Sequence, residues 1–433
     1  MSKPNLEILA TSILTPCKEP ASAGCIEKLE LAKPDGEFTE AQFDHTALGG
    51  HPHTADAKLN LLEGGGGSIF YAPGVPSASG TTEYAVVIKA GQIFDHGSGK
   101  FLSPNGLHAM VVPVRDEANS GYNSEGGPNS NMCVYFEVGH CGIAQDFAEG
   151  TQVRLTFRAP KGLGGWFRGR INHPAITVES ANTSANRITM EGQSTVVPRF
   201  AYVQETASLT ADEKSYLSHL SNWGAKAGTT YGLGGSEQGS PEFIEHYRKP
   251  LGDTATGLSS FWSMNTAQTG GGSGCLSDTS QVLGIVTTNS MAYDPNAPSF
   301  VNGALDYKVS GLHWMPGGKY EVQGTYDLVM RSETARCLYG FSKAPISAKI
   351  SVTSSTGEAK VATTVMSEKA GWVKLAAYGF NYSSPTVSVK LTQEGRAPSK
   401  KTTITCVKGK LTKKVTGVGT KCPAGYKKKQ ETL

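Results

Sequence analysis

Ten lysines and no carboxylate fall within residues 400–429, KKTTITCVKGKLTKKVTGVGTKCPAGYKKK. Ammonium groups this dense, with no counter-charge beside them, have the chemistry to hold a polyanion. An anionic wall polymer, an acidic glycan or an anionic lipid surface would each fit. The groups in question are Lys408, Lys410, Lys413, Lys414, Lys421, Lys427, Lys428 and Lys429. Tyr426 is the one aromatic residue among them and no nucleic-acid motif is present, so nucleic acid is not an expected partner. The plain alternative is a solvated basic terminus.

A second constellation joins aromatic and guanidinium groups in Trp166-Phe167-Arg168-Gly169-Arg170. Aromatic faces stack on sugar rings and guanidinium groups grip carboxylate or phosphate. Trp166, Arg168 and Arg170 are therefore candidate ligand-binding residues. The alternative is a hairpin whose aromatics cover a core edge. His45, His51 and His53 offer an HxH pair that could ligate zinc or copper from one strand face. Their Gly-Gly-His-Pro-His-Thr setting reads as a loop, so no metal is expected. His313-Trp314, and Arg331, Arg336, Tyr339 and Phe341 around Cys337, could build a binding face. The simpler expectation there is a disulfide-anchored strand with ordinary packing.

No GxSxG elbow, HExxH, P-loop or dinucleotide fingerprint occurs, and Glu245-His246 is not a zinc-protease motif. A triad assembled from distant segments is defined by geometry rather than spacing. The reading is accordingly non-catalytic, with no cofactor.

The eight cysteines are Cys17, Cys25, Cys133, Cys141, Cys275, Cys337, Cys406 and Cys422. Their even number, local spacing and lack of a zinc-site pattern point to disulfides between sequence neighbours, and so to an oxidising compartment. A 16-residue step separates the last two. Closing a loop of that size contributes about 3 kcal/mol in the chain-entropy model. The tail has few large apolar residues and would depend on that closure most. The opening residues, MSKPNLEILATSIL, show neither the apolar core nor the cleavage site of a secretory leader. The cysteines carry the expectation of an extracellular or cell-surface chain.

The elements that must position these groups are strands. Of the 433 residues 52 are glycine and only 18% are charged, a composition suited to a β-rich exported protein. Val153-Arg154-Leu155-Thr156-Phe157-Arg158 alternates apolar and polar residues, as a half-buried strand does. Shorter candidates lie at 25–31, 84–90, 109–114, 133–138, 175–178 and 187–190. Thr210-Ala211-Asp212-Glu213 is a capping box that predicts a helix ending near Gly224, and Ser240-Pro241-Glu242 opens another. Ile346, Ala348, Ile350 and Val352 alternate again, return through a turn at 354–357, and are followed by Val387, Val389 and Leu391. The fold class is mainly β. Two β-sandwich-like regions, residues 1–200 and 275–395, flank a helical insert at 201–274, and a basic cysteine-closed hairpin module occupies 396–433. Before residue 400 the chain has 30 basic and 36 acidic residues, so a basic module terminates an acidic body. No run is long and apolar enough for a transmembrane helix.

The tail resembles a C-terminal element of exported actinobacterial proteins, written ITCVKGK, a connector and CPAGYKKK; residues 404–410 and 422–429 carry the match. SDTSQVLGIVTTNSMAY and GTYDLVMRSETARCLYGFSKAPISAKISV resemble segments of uncharacterised actinobacterial secreted or cell-surface proteins. The resemblance implies export and supplies no catalytic residues. An LPxTG-type sorting motif is absent, which argues against sortase anchoring. The expected function is that of a cell-envelope-associated structural or binding protein, adhesin-like, held by its tail on anionic wall polymer. The rivals are a secreted hydrolase or lyase acting on polysaccharide or peptide, and a self-assembling surface subunit.

Overall fold

The computed structural model describes residues 8–47, 52–104, 106–118, 133–137, 139–211, 224–226, 229–234, 241–267, 274–276, 278, 280–341, 346–353, 359–360, 363–382, 386–393, 402–409, 411–417, 422 and 425–428. Strand accounts for 58% of the described residues and helix for 5%, so the fold is mainly β.

One 14-stranded sheet organises the body. From one edge its path runs through Thr363–Lys369, Trp372–Phe380, Gly324–Arg331, Val282–Thr288, Gly165–Arg170, Ser263–Thr266, Gly106–Ala118 and Glu83–Asp95, ending at Ser68–Tyr71 and Gln42–Thr46. The pairing is antiparallel except where Gly165–Arg170 lies parallel to Val282–Thr288. That junction joins the two sandwich-like regions into one hydrogen-bonded layer.

Strand side chains alternate between faces, and each face of the sheet has its own partner. On the first face Leu107, Ala109, Val111, Phe167, Met264, Ile285 and Val329 share a core with Leu29, Leu31, Val153, Leu155, Phe157, Ile188 and Met190 of a five-stranded sheet. On the second face Trp166, Val286, Leu328, Met330, Val373, Leu375 and Ala377 pack with Leu305, Tyr307, Val309, Val387, Val389 and Leu391 of a six-stranded sheet. Val282–Thr288 is covered on both sides and is buried at every residue. Its continuous apolar run follows from that double burial. Gly284 makes room in it: a Cβ there would sit 2.7 Å from the Trp166 ring and 2.3 Å from the Val329 carbonyl oxygen.

The 201–274 segment carries the Pro241–Arg248 helix, with proline at its first position, and a short 3-10 turn at Thr206–Ser208. It also contributes strands: Gly257–Phe261 pairs with Thr195–Glu205, and Ser263–Thr266 enters the large sheet. The body of the helix expected after Thr210 lies outside the described residues, as does the turn at 354–357. Ile244 and Tyr247 seat the Pro241–Arg248 helix on Phe200, Met291, Ala292 and Leu312. The segment around Cys337, expected as a strand, is instead the Ser332–Tyr339 helix. Glu333 sits in its first turn, Ala335 and Leu338 face the core, and Gly340 ends it at φ 62° in the left-handed conformation.

All four disulfides join sequence neighbours: Cys17–Cys25, Cys133–Cys141, Cys275–Cys337 and Cys406–Cys422. No helix among the described residues is long and apolar enough to cross a membrane.

Candidate functional site

The tail forms a three-stranded antiparallel sheet of its own, with Thr402–Lys408 between Leu411–Gly417 and Lys427–Lys428. Lys408 pairs with Leu411, which leaves a two-residue loop, and Gly409 takes φ 59° there. Tight hairpin loops require this left-handed conformation, which glycine adopts without strain. Cys406 is fully buried and its bond to Cys422 ties the hairpin to the returning strand.

Register decides where the cations point. Lys413 and Lys428 lie opposite Cys406 on its two sides, and Lys408 shares that face by alternation. Lys414, opposite Thr405, and Lys427, opposite Val407, take the other face. All five are exposed, and none has an ion-pair partner among the described residues. Three strands span about 10 Å. That span is comparable to the Debye length of about 8 Å at physiological salt, so neighbouring charges on one face reinforce one another. Lys410, Lys421 and Lys429 lie outside the described residues.

Trp166, Arg168 and Arg170 occupy the middle of the large sheet. The Gly165–Arg170 strand is buried at every position, and Trp166 is 4%, Arg168 3% and Arg170 0% exposed. Arg170 donates to the carbonyl oxygens of Ser290, at 2.5 Å, and Met291, at 3.2 Å. Its guanidinium lies 5.0 Å from the Tyr293 ring centroid and 5.6 Å from that of Phe261. These side chains knit the second core layer together and none presents an open face to solvent. The hairpin weighed as the alternative is instead a central strand, whose neighbours come from residues about a hundred positions away.

His45 and His53 do not converge. His45 Nδ1 meets Asp44 and its Nε2 meets Glu137, whereas His53 Nε2 lies 3.1 Å from Ser12 Oγ. His51 lies outside the described residues.

Two polar clusters have no signature in the sequence. In the first, Asp253 accepts from the His313 backbone N–H and pairs with its Nδ1, while Arg248 bridges Asp253 and Glu245. Burial would lower the Arg248 pKa, but Glu245 and Asp253 more than offset it and hold it up. Arg248 also donates to the Gly311 carbonyl oxygen, so it fastens the helix end to the 311–313 turn. A carboxylate on Nδ1 is how hydrolases orient an imidazole. Here the nearby Ser310 hydroxyl donates to Glu245.

In the second, Tyr378 donates to Asp327 Oδ1 at 2.7 Å and its oxygen lies 2.8 Å from His173 Nδ1. Asp327 is 1% exposed, and Lys374 Nζ stands 3.8 Å from the same Oδ1. Burial raises the Asp327 pKa against the opposing pull of Tyr378 and Lys374. Burial also lowers that of Lys374 and, with Asp327, raises that of Tyr378. His173 is exposed and holds φ 52°, where a residue other than glycine is strained. The hydroxyl thus links a surface imidazole to a buried carboxyl beneath the edge of the five-stranded sheet.

No family model matches the chain, and neither a curated protein nor a solved structure matches it.

Proposed function

We propose that the protein is an exported, non-catalytic structural or binding protein of the cell envelope, adhesin-like, held by its C-terminal sheet on an anionic wall polymer. The observation that carries this reading is the set of exposed, unpaired lysines Lys408, Lys413, Lys414, Lys427 and Lys428 on a disulfide-closed sheet. Presentation on both faces suits a flexible polymer that can wrap the module better than a flat surface that meets one side. Four disulfides are compatible with an extracellular setting. The acidic body would be repelled by the same polymer and would face away from it.

The test is co-sedimentation with purified, polymer-bearing cell wall. The full chain should pellet at low salt, and a chain lacking residues 400–433 should stay in the supernatant. Pelleting of the shortened chain to the same extent would remove the tail from the account.

A further inference from the structure

The six-stranded sheet covers the second face of the large sheet only over its C-terminal strands. Towards the N-terminal strands the described residues leave that face partly open. Met110 and Val112, which alternate with the buried Ala109 and Val111, are half-buried there. A cavity of about 560 Å³ lies over them, walled by Val134, Ile143, Ala144, Phe261 and Trp262. Its size falls within the range of small-molecule sites, and its lining sets these apolar groups beside Gln145, Asp146, Arg199, Ser259, Ser260 and Ser263.

The polar part of the lining is asymmetric. Asp146 Oδ1 already accepts from Ser260 N–H at 2.7 Å and Ser260 Oγ at 3.1 Å. Arg199 is exposed, and its guanidinium makes no hydrogen bond or ion pair among the described residues. Its stem runs over Gly257, its register partner, where a Cβ would come within 3.1 Å of Nε. The missing side chain at 257 lets the guanidinium lie along the cavity rim. An arginine presents a planar fork of donors matched to a carboxylate.

We propose that this cavity binds a free single-chain amphiphile with a carboxylate head. The aliphatic wall takes the apolar body and Arg199 takes the head. A zwitterion fits less well because the one acidic group in the lining is already engaged by Ser260.

Calorimetric titration of the full chain with dodecanoate, below its micelle concentration, tests this. Dodecyltrimethylammonium serves as the cationic probe of equal chain length. Dodecanoate should bind at one site per chain and about tenfold more tightly than the cation, the worth of a charge-assisted hydrogen bond. Arg199→Glu, a change at an exposed side chain, should abolish or reverse that preference. Val112→Trp should fill the cavity and weaken both probes; if it fails to fold, Ala144→Leu at the exposed rim encroaches on the same volume. Equal affinity for the two probes, no binding of dodecanoate, or an unchanged preference in Arg199→Glu would overturn the proposal. So would binding to anionic phospholipid vesicles that is lost in Arg199→Glu while dodecanoate does not bind, since that would assign Arg199 to a membrane surface.

Discussion

The body and the tail handle charge in opposite ways. In the body, many charged side chains are paired across strands. Glu27 accepts from Arg158 at 2.6 Å and Arg187 at 2.5 Å, Arg154 joins Glu30 and Glu191, and Arg336 joins Glu368. In the tail, five described lysines stand exposed without a counter-charge. The body's charges fasten its strands to one another. Those of the tail repel one another and contribute nothing to its fold, which rests on nine ladder pairings and one disulfide. Repulsion that the fold tolerates is relieved only by something outside it. On the proposed reading, the difference separates a region built for stability from one built for contact.

The largest expected effect comes from the core shared by the two sandwich-like regions. Leu328 is fully buried on the second face, and Leu328→Ala should cost the body about 2–5 kcal/mol in chemical denaturation. Binding to wall polymer under folding conditions should not change. A loss of binding in the folded variant would tie the two regions together and break the comparison. The tail gives the reciprocal case. Replacing Cys406 and Cys422 by serine should cost the module about 3 kcal/mol and its polymer binding. The melting transition of the body should stay where it was.

Two carboxyl groups sharpen the picture of the body because they respond to pH in opposite directions. Burial would raise Glu27, but hydrogen bonds from Arg187 and Arg158 override it and hold the group below its usual 4.5. Its stabilisation is present above that value and is lost as pH falls through the lowered pKa. Glu27→Gln should therefore remove about 1–2 kcal/mol at neutral pH and nothing in strong acid. Asp327 is raised above its usual 3.8, so its favourable contribution is present below that value and is lost as pH climbs through the raised pKa. Asp327→Asn should flatten the decline in stability with pH above about 4. Denaturation midpoints collected across that range read both signs, and a parallel response of the two variants would refute the assignment. The smallest stability effect belongs to the tail surface. Lys413→Gln together with Lys414→Gln should shift the melting free energy by less than about 0.5 kcal/mol while weakening polymer binding.

How much of this the sequence made legible depended on how local the cause was. Strand alternation at 153–158 became Gln152–Pro160, and 84–90 grew into Glu83–Asp95, because period-two patterning needs only a run of neighbours. The four cysteine pairs were legible for a related reason: three of them close short loops. The Gly165–Arg170 strand misled because tryptophan and arginine read as surface chemistry, whereas here layers from both sides enclose them. The Ser332–Tyr339 helix was masked by its cysteine and aromatic residues, although Gly340 marked its end. The Asp327–Tyr378–His173 cluster joins residues 51 and 205 positions apart, and no spacing rule reaches that far.

The measurement that bears most directly on the account is the salt dependence of wall-polymer binding. It compares the full chain with a variant carrying glutamine at Lys408, Lys413, Lys414, Lys427 and Lys428. The account predicts an affinity for the unaltered chain that falls steeply as salt rises, and little or no salt-sensitive binding in the variant. Equal affinity and an equal slope for the two chains would contradict it.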